Sequence, residues 1–377
     1  MVQYIWQHEK WPYFTWDTDS IIDTLSRCNF KRGQLLGRVA ALGMEHSLEA
    51  QAEILAAEVL KTSAIEGKKL DPESVRSSVA RRLGLPDAGL TPPDRYTEGL
   101  VDVLLDATEN YDQPLTVARL HGWQAALFPT GYAGMYPVTV GEFRNSPMQV
   151  VSGPVGREKI HYEAPVAPDL NRQMNLFLHW WPKSHNTIDG IIRAAIAGFW
   201  FVTIHPYEDG NGRLARAITD MALAQDEKLA TRYYSFSSQI MAERKGYYEI
   251  LEKCQKGDPD ITGWLLWFLG CFERAIAGSD LLIGKVLQKA RFWETHSQTE
   301  LNQRQRKVIN RLLDAGQSGF EGGLTNRKYA GMTKTSKATS YREITDLLAK
   351  KILIKNPGRG RNVSYDLAWP REVVPFV

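Results

Sequence analysis

Cysteine is scarce in this sequence: Cys28, Cys254 and Cys271 are the three in 377 residues, and they lie far apart. Three isolated cysteines exclude both a disulfide framework and a zinc cluster. Apolar runs of roughly 20 residues, the length that crosses a bilayer, are also missing. The first residues lack the basic segment and apolar run of a secretion signal. We therefore expect a cytoplasmic protein with no membrane segment.

The sequence has neither a long block of one charge nor an internal repeat. Its charged share of 24% and hydrophobic share of 43% are typical of a globular protein. The net charge of +3 is uneven, because residues 301–377 hold 15 Lys and Arg against 6 Asp and Glu. A basic C-terminal region on an acidic body indicates either an anionic partner or a solvated basic surface.

Composition and periodicity predict a mainly α-helical chain with four regions. These are an N-terminal helical region (1–105), a helical core (106–278), a linker helix (279–300) and a C-terminal region of three helices and two strands (301–377). Turn residues and short β-prone runs between Gly131 and Pro165 predict a β-hairpin within the core.

Two central helices are predicted on either side of a short loop. The first carries one apolar stripe at helical spacing from Ile188 to Trp200 and stops at Pro206. The second resumes after Gly212, with Leu214 and Ile218 on its buried face.

Chemically informative residues concentrate between these helices, in HPYEDGNGRLAR, residues 205–216. Gly210 and Gly212 flank Asn211 at a helix entry, where backbone N–H groups and the helix dipole favour an anion. Arg213 and Arg216, three residues apart, place two guanidinium groups on the same helix face. This pattern predicts a phosphate site.

Asp209 and His205 complete the segment. A carboxylate beside phosphates is repulsive unless a cation such as Mg²⁺ lies between them. His205 is the residue in this loop that can take a proton near neutral pH, which makes it the candidate base. Taken singly, a Gly-Asn-Gly turn, a capping His and a solvated Arg pair are each structural features. Their combination within twelve residues favours a catalytic site.

The segment resembles the motif H-x-F-x-[DE]-G-N-G-R-x-x-R of Fic proteins, with Tyr207 in place of the usual Phe. The added hydroxyl needs a hydrogen-bond partner. The resemblance implies a Fic fold and transfer of AMP from MgATP to a Ser, Thr or Tyr hydroxyl of a target protein, or of itself, with release of pyrophosphate. Removal of AMP is the alternative direction of the reaction.

The resemblance also implies roles for individual residues. His205 would deprotonate the target hydroxyl, and Asp209 would hold Mg²⁺. Asn211 and the amides around Gly210 and Gly212 would stabilise charge at the α-phosphate. In the same way, Arg213 would bind the β-phosphate of ATP and Arg216 the γ-phosphate.

Two further segments resemble parts of Fic proteins around the motif. Residues 141–151 (GEFRNSPMQVV) are similar to the flap, whose strand edge holds the target protein by backbone pairing. A plain surface hairpin is the alternative. Residues 233–251 are similar to the lining of the nucleotide pocket, which suggests Tyr247 or Tyr248 near the adenine. An aromatic pair on a helix is otherwise a core feature.

TSAIEG, residues 62–67, resembles the inhibitory motif [ST]-x-x-x-E-[GN] of Fic proteins. That resemblance implies that Glu66 pairs with Arg216 and blocks productive ATP binding. Thr62 or Ser63 would steady the helix, and Gly67 is suited to its C-terminal cap. An exposed acid in the last turn of a helix is the alternative for Glu66.

The C-terminal region resembles the winged helix found behind Fic domains. Its basic residues could face DNA phosphates: Lys334, Lys337 and Arg342 on the helices, Arg359 and Arg361 on the wing. Such modules also bind protein or mediate dimerisation, and we expect a homodimer. A nucleotide-sensing, DNA-binding transcriptional regulator therefore stands as the alternative to the AMP-transferring enzyme.

Overall fold

A computed structural model describes residues 4–40, 44–85, 92–154, 156–316, 320–357 and 363–369. The chain divides into two units, residues 1–280 and 281–377. Both are built mainly from helices, which confirms the predicted fold class. Within the described residues, none of the helices combines the length and apolar character needed to cross a membrane.

The N-terminal part of the first unit is helical from its start. A 3₁₀ turn (Ile5–Gln7) is followed by α1 (Thr18–Ala40), α2 (Met44–Ile65), α3 (Pro72–Arg82) and α4 (Arg95–Glu109). Asp71 and Asp94 cap α3 and α4, because their carboxylates accept bonds from backbone N–H groups of the first helical turn. Helix α2 carries the TSAIEG segment at its C-terminal end.

The centre of the first unit is the helix pair α7 (Gly190–Ile204) and α8 (Asn211–Glu227), with α5 (Val117–Leu127) and α6 (Leu170–Ser184) preceding them. The sequence predicts one buried face for α7, but all residues of α7 are buried. Gly198 lets the two helices approach, since a Cβ there would lie 2.5 Å from Thr219 Oγ1. Helix α8 begins at Asn211, two residues before the predicted start.

Among the described residues, the β-strands of the first unit form two hairpins, and Thr15 and Asp260 form an isolated parallel bridge. The short strands β1 (Tyr132–Ala133) and β2 (Tyr136–Pro137) form one, and β3 (Gln149–Ser152) and β4 (Lys159–Glu163) form the other. The second hairpin shares only Gln149–Val151 with the predicted flap at 141–151. Residues before Gln149 instead approach the central loop through Arg144, and this contact could not be predicted from β-propensity.

The first unit ends with α9 (Phe236–Ala242), α10 (Arg244–Gln255) and the start of the 34-residue α11 (Thr262–Thr295). Helix α11 runs without interruption through the boundary predicted at residue 278. The predicted linker helix at 279–300 is therefore the last part of α11 followed by a turn. Gly278 and Gly284 lie within the helix, and a Cβ added at either would meet no atom within 4 Å outside the adjacent helix backbone.

The second unit holds α12 (Gln303–Ala315), α13 (Asn326–Thr333), α14 (Lys337–Ala349), β5 (Leu353–Lys355) and β6 (Tyr365–Leu367). This order is the one expected for a winged helix. Strand β6 pairs with β5 and, at Tyr365, also with Leu324. The core gathers apolar residues from all of these elements, including Ile309, Leu347 and Leu367. Arg359 and Arg361 lie outside the described residues.

Candidate functional site

The loop between α7 and α8 is held in a tight turn by its own residues. His205 ends α7 in the left-handed region at φ 51°, and Gly210 precedes α8 at φ 94°. The Asn211 side chain closes the turn: its Oδ1 accepts a bond from the Tyr207 N–H (2.9 Å) and its Nδ2 donates to the Tyr207 carbonyl (2.8 Å).

The hydrogen bonds of Asn211 show a structural role beside the predicted one. The side chain is 2% exposed, and its amide binds the loop backbone on both sides. It therefore positions the loop, and its contact with the α-phosphate stays a prediction.

The hydroxyl of Tyr207 has a hydrogen-bond partner in His121. The ring is fully buried between Phe143 and Phe201, and its hydroxyl lies 3.0 Å from His121 Nδ1. Burial raises the pKa of Tyr207 and lowers that of His121, so both groups are neutral at physiological pH. A tyrosine is therefore compatible with this position of the motif, because its hydroxyl forms one partly buried hydrogen bond.

His205 is arranged to accept a proton. Its Nδ1 lies 3.0 Å from the Val202 carbonyl, which can only accept, so Nδ1 carries the hydrogen. Nε2 of the neutral ring is then free to act as a base. Burial lowers the pKa of His205 below its ordinary value of 6.5, and the nearby Arg144 charge acts in the same direction. The imidazole is therefore neutral at pH 7.

The first turn of α8 brings the two predicted arginines together in a buried position. The guanidinium of Arg213 donates to Asp209 Oδ1 (3.1 Å) and to the Tyr96 hydroxyl (2.6 Å). Arg213 Nε and Arg216 Nη1 are buried and find no acceptor among the described residues. Buried donors without acceptors leave capacity for hydrogen bonds to water or to an anion.

Glu66 reaches this site from the end of α2. Its Oε1 lies 2.9 Å from Arg216 Nη2, and it would lie 2.2 Å from a Cβ on Gly212. Thr62 adds two contacts, since Arg216 donates to its Oγ1 (2.6 Å) and to its carbonyl (2.9 Å). Burial alone lowers the pKa of Arg216, but the charge and hydrogen bond of Glu66 together with Tyr247 and Tyr248 outweigh it, and the net direction is upward.

The other residues of the TSAIEG segment support the end of α2. Ser63 is buried and lies 3.5 Å from the Tyr96 hydroxyl. Gly67 adopts φ 82°, a conformation that favours glycine, as the backbone leaves the helix. The segment therefore ends the helix at the point where Glu66 can reach α8.

A cleft of about 670 Å³ opens next to the loop. His205, Asp209, Gly212 and Glu66 line it, and so do both predicted tyrosines, Tyr247 and Tyr248. Tyr247 is almost fully buried, whereas Tyr248 is partly exposed. The hydroxyl of Tyr248 donates to the carbonyl of Ile65 (3.2 Å). Strand β3 forms part of the wall, which brings the hairpin to the same cleft as the loop.

Comparison with known proteins gives the family of the segment that carries this loop. Residues 114–223 match the Fic/DOC family, and residues 4–85 match a domain of unknown function, DUF4172. The chain carries a Fic domain. The family match includes the whole 205–216 motif together with α5, α6, α7 and most of α8, and it confirms the predicted resemblance.

Relatives of the Fic domain are named as enzymes. "Protein adenylyltransferase Fic" of Nematostella vectensis is 29% identical over 144 residues, which is 37% of this chain and 29% of that protein. "Protein adenylyltransferase fic-1" of Caenorhabditis elegans is 41% identical over 61 residues, 16% of this chain and 12% of that protein. The chain thus spans less than a third of the length of these relatives.

A solved structure shares the fold over nearly the whole chain. A Fic family protein from Desulfovibrio desulfuricans aligns with a TM-score of 0.53 and 17% identity, covering 93% of this chain and 96% of that one. At this identity the comparison supports the fold alone.

A metal ion at the Fic site would depend on its substrate. Among the described residues, no group of three or more His, Cys, Asp or Glu side chains could hold an ion by itself. Asp209 offers a single, half-exposed carboxylate beside the buried arginines. One carboxylate plus phosphate oxygens is a usual environment for Mg²⁺, so the residues fit a metal that arrives with a nucleotide.

The sequence analysis missed two residues that shape the Fic site. Arg144 is 2% exposed and donates to the carbonyls of His205 (2.8 Å), Ser146 (2.7 Å) and Pro165 (2.5 Å). Tyr96 receives the bond from Arg213. Neither belongs to a short motif, and their roles follow from contacts between distant segments, so no local pattern indicates them.

Proposed function

We propose that this protein transfers AMP from MgATP to a hydroxyl group of a protein, and that Glu66 holds this activity low. The observation that carries the proposal is the Glu66 carboxylate lying over Gly212, 2.9 Å from Arg216, at the start of α8. A carboxylate in this place is the protein's own substitute for a substrate anion. The buried donors of Arg213 and Arg216 that lack acceptors leave further capacity for phosphate oxygens.

The reaction needs one base and several anion contacts, and the cleft supplies both. His205 Nε2 would take the proton of the target hydroxyl, whose oxygen forms a bond to the α-phosphorus while the bond to pyrophosphate breaks. Arg213 and Arg216 would hold the β- and γ-phosphates. Asp209 would hold Mg²⁺, which neutralises phosphate charge when bound. Strand β3 would offer its free edge to the target segment.

The test compares Glu66→Gly with the unchanged chain, using ATP labelled at the α-phosphate and a cell lysate as acceptor. We expect stronger labelling of lysate proteins by Glu66→Gly, and no labelling of these proteins after His205→Ala is added to it. His179→Ala, which changes an exposed histidine of α6, is the matched control and should leave labelling intact. Equal labelling by Glu66→Gly and the unchanged chain would refute the inhibitory role, and labelling of lysate proteins without His205 would refute its role as their base.

A second function, DNA binding, is proposed for the C-terminal unit. Lys334, Lys337 and Arg342 are all exposed between the end of α13 and the middle of α14, the helix that would read a groove in a winged helix. Binding through phosphate contacts weakens steeply with salt. We expect Lys337→Glu with Arg342→Glu to weaken binding of duplex DNA and to reduce the slope of its salt dependence. Unchanged binding by this variant would place the contact elsewhere.

A further inference from the structure

A second set of hydrogen-bonded side chains lies on the hairpin, outside the 205–216 motif. Ser152 Oγ on β3 is 2.6 Å from His161 Nε2 on β4. His161 Nδ1 is 2.6 Å from Glu252 Oε2 on α10, and Lys256 Nζ donates to the other oxygen of Glu252 at 2.6 Å. A hydroxyl, an imidazole and a carboxylate therefore follow each other in line, the order that activates a serine nucleophile.

The backbone places His161 in this position. Val150 pairs with Tyr162 and Val151 with Ile160, so His161 is the extra residue of a β-bulge. A bulge turns its side chain away from the regular alternation of the strand. The imidazole can therefore face Ser152 on the neighbouring strand and Glu252 on α10 at the same time.

The protonation of the set follows from the carboxylate. Burial alone raises the pKa of Glu252, but hydrogen bonds from Lys256 and His161 outweigh it and lower that pKa. Glu252 is therefore ionised at neutral pH and can only accept, so Nδ1 of His161 must donate. In the neutral ring Nε2 is then the acceptor, and the Ser152 hydroxyl donates its proton to it.

This hydroxyl lies in the wall of the cleft already described. Ser152, His161 and Glu252 line the same 670 Å³ space as His205 and Asp209. The Ser152 side chain is exposed, so it can approach a nucleotide bound there. The roles proposed for residues 205–216 do not involve Ser152, His161 or Glu252, because His205 is the proposed base for a target hydroxyl.

We propose that Ser152 is a site of self-modification by AMP, activated by His161 and Glu252. This inference rests on the proposed function. The Ser152 oxygen forms a bond to the α-phosphorus of ATP, the bond from that phosphorus to pyrophosphate breaks, and the serine proton passes to His161 Nε2. Glu252 stabilises the resulting imidazolium, which releases its proton to water. The modified strand would carry its AMP at the edge that docks a target protein.

The experiment uses the full-length Glu66→Gly chain with ATP labelled at the α-phosphate, followed by mass spectrometry. Cleavage after Arg144 and Arg157 yields peptide 145–157, whose fragment ions separate Ser146 from Ser152. We expect AMP on Ser152. Ser152→Ala should remove it, whereas the control Ser26→Ala, at an exposed serine of α1, should not.

His161→Gln tests the base. Glutamine can still hydrogen-bond to Ser152 or Glu252 but cannot take the proton, so we expect AMP on Ser152 to form at least about 100-fold more slowly. An unchanged rate at Ser152 would mean that His161 only fastens the hairpin to α10, and would overturn its role. Label on lysate proteins but not on Ser152 overturns this inference alone, while no label on any protein overturns the proposed function as well.

Discussion

Replacing Glu66 by Gln is expected to release the proposed inhibition while leaving the fold unchanged. The glutamine keeps the size of the side chain and removes its charge. The contact joins a guanidinium that is 4% exposed to a carboxylate that is 33% exposed, at 2.9 Å. A hydrogen bond between charged groups contributes about 1.5–3 kcal/mol. The lower half of this range applies here, because water reaches one third of the carboxylate side chain.

A contribution of about 1.5–2 kcal/mol corresponds to a factor of about 10 to 30 in an equilibrium constant. The γ-phosphate of ATP can reach Arg216 only when Glu66 leaves, so the apparent affinity for productively bound ATP is reduced by that factor. The Thr62 contacts to Arg216 do not involve Glu66 and persist in the variant, which should keep the end of α2 in place.

The assay measures initial rates of AMP incorporation over a range of ATP concentrations. Glu66→Gln should reach its half-maximal rate at about 10 to 30 times less ATP than the unchanged chain. Glu53→Gln, which alters an exposed glutamate of the same helix, serves as the matched control. A shift below about twofold, or an equal shift in the control, would refute the idea that Glu66 competes with the nucleotide.

Two further predictions concern the loop. Burial lowers the pKa of His205 below 6.5. We therefore expect the rate of AMP transfer to be constant around pH 7 and to fall only below pH 6.5. A pH–rate profile with its acid midpoint above 6.5 would contradict the neutral base. Tyr207→Phe removes the bond to His121 but keeps the packed ring, so it should cost about 0.5–1.5 kcal/mol of stability and leave AMP transfer within about twofold. Thermal unfolding and the labelling assay measure these effects, and an unchanged melting temperature would show that the hydroxyl contributes nothing.

Much of the fold could be predicted because its signals are local. The apolar run before Pro206, the glycines at 210 and 212 and the alternation of helices and turns after residue 301 each arise from neighbouring residues. Both hairpins lie between Gly131 and Pro165, where turn residues and β-prone runs predict one, whereas Arg144 donates its backbone N–H to the Pro206 carbonyl and its side chain to the His205 carbonyl. Propensity cannot report such a contact, since its partner carbonyls come from distant positions.

The sequence by itself determined that one segment, residues 205–216, holds the histidine, carboxylate, glycines and arginines of the site. These residues are close together in the chain, and their spacing is typical of one helix entry. Only the tertiary structure decided that Asn211 binds its own loop, that Tyr207 meets His121, and that Ser152, His161 and Glu252 form a line across three elements. Each of these outcomes depends on distances between atoms of residues that are not adjacent in the chain, and the position of His161 also depends on a β-bulge. Such distances follow from the packing of the helices, and no short pattern of residue types encodes them.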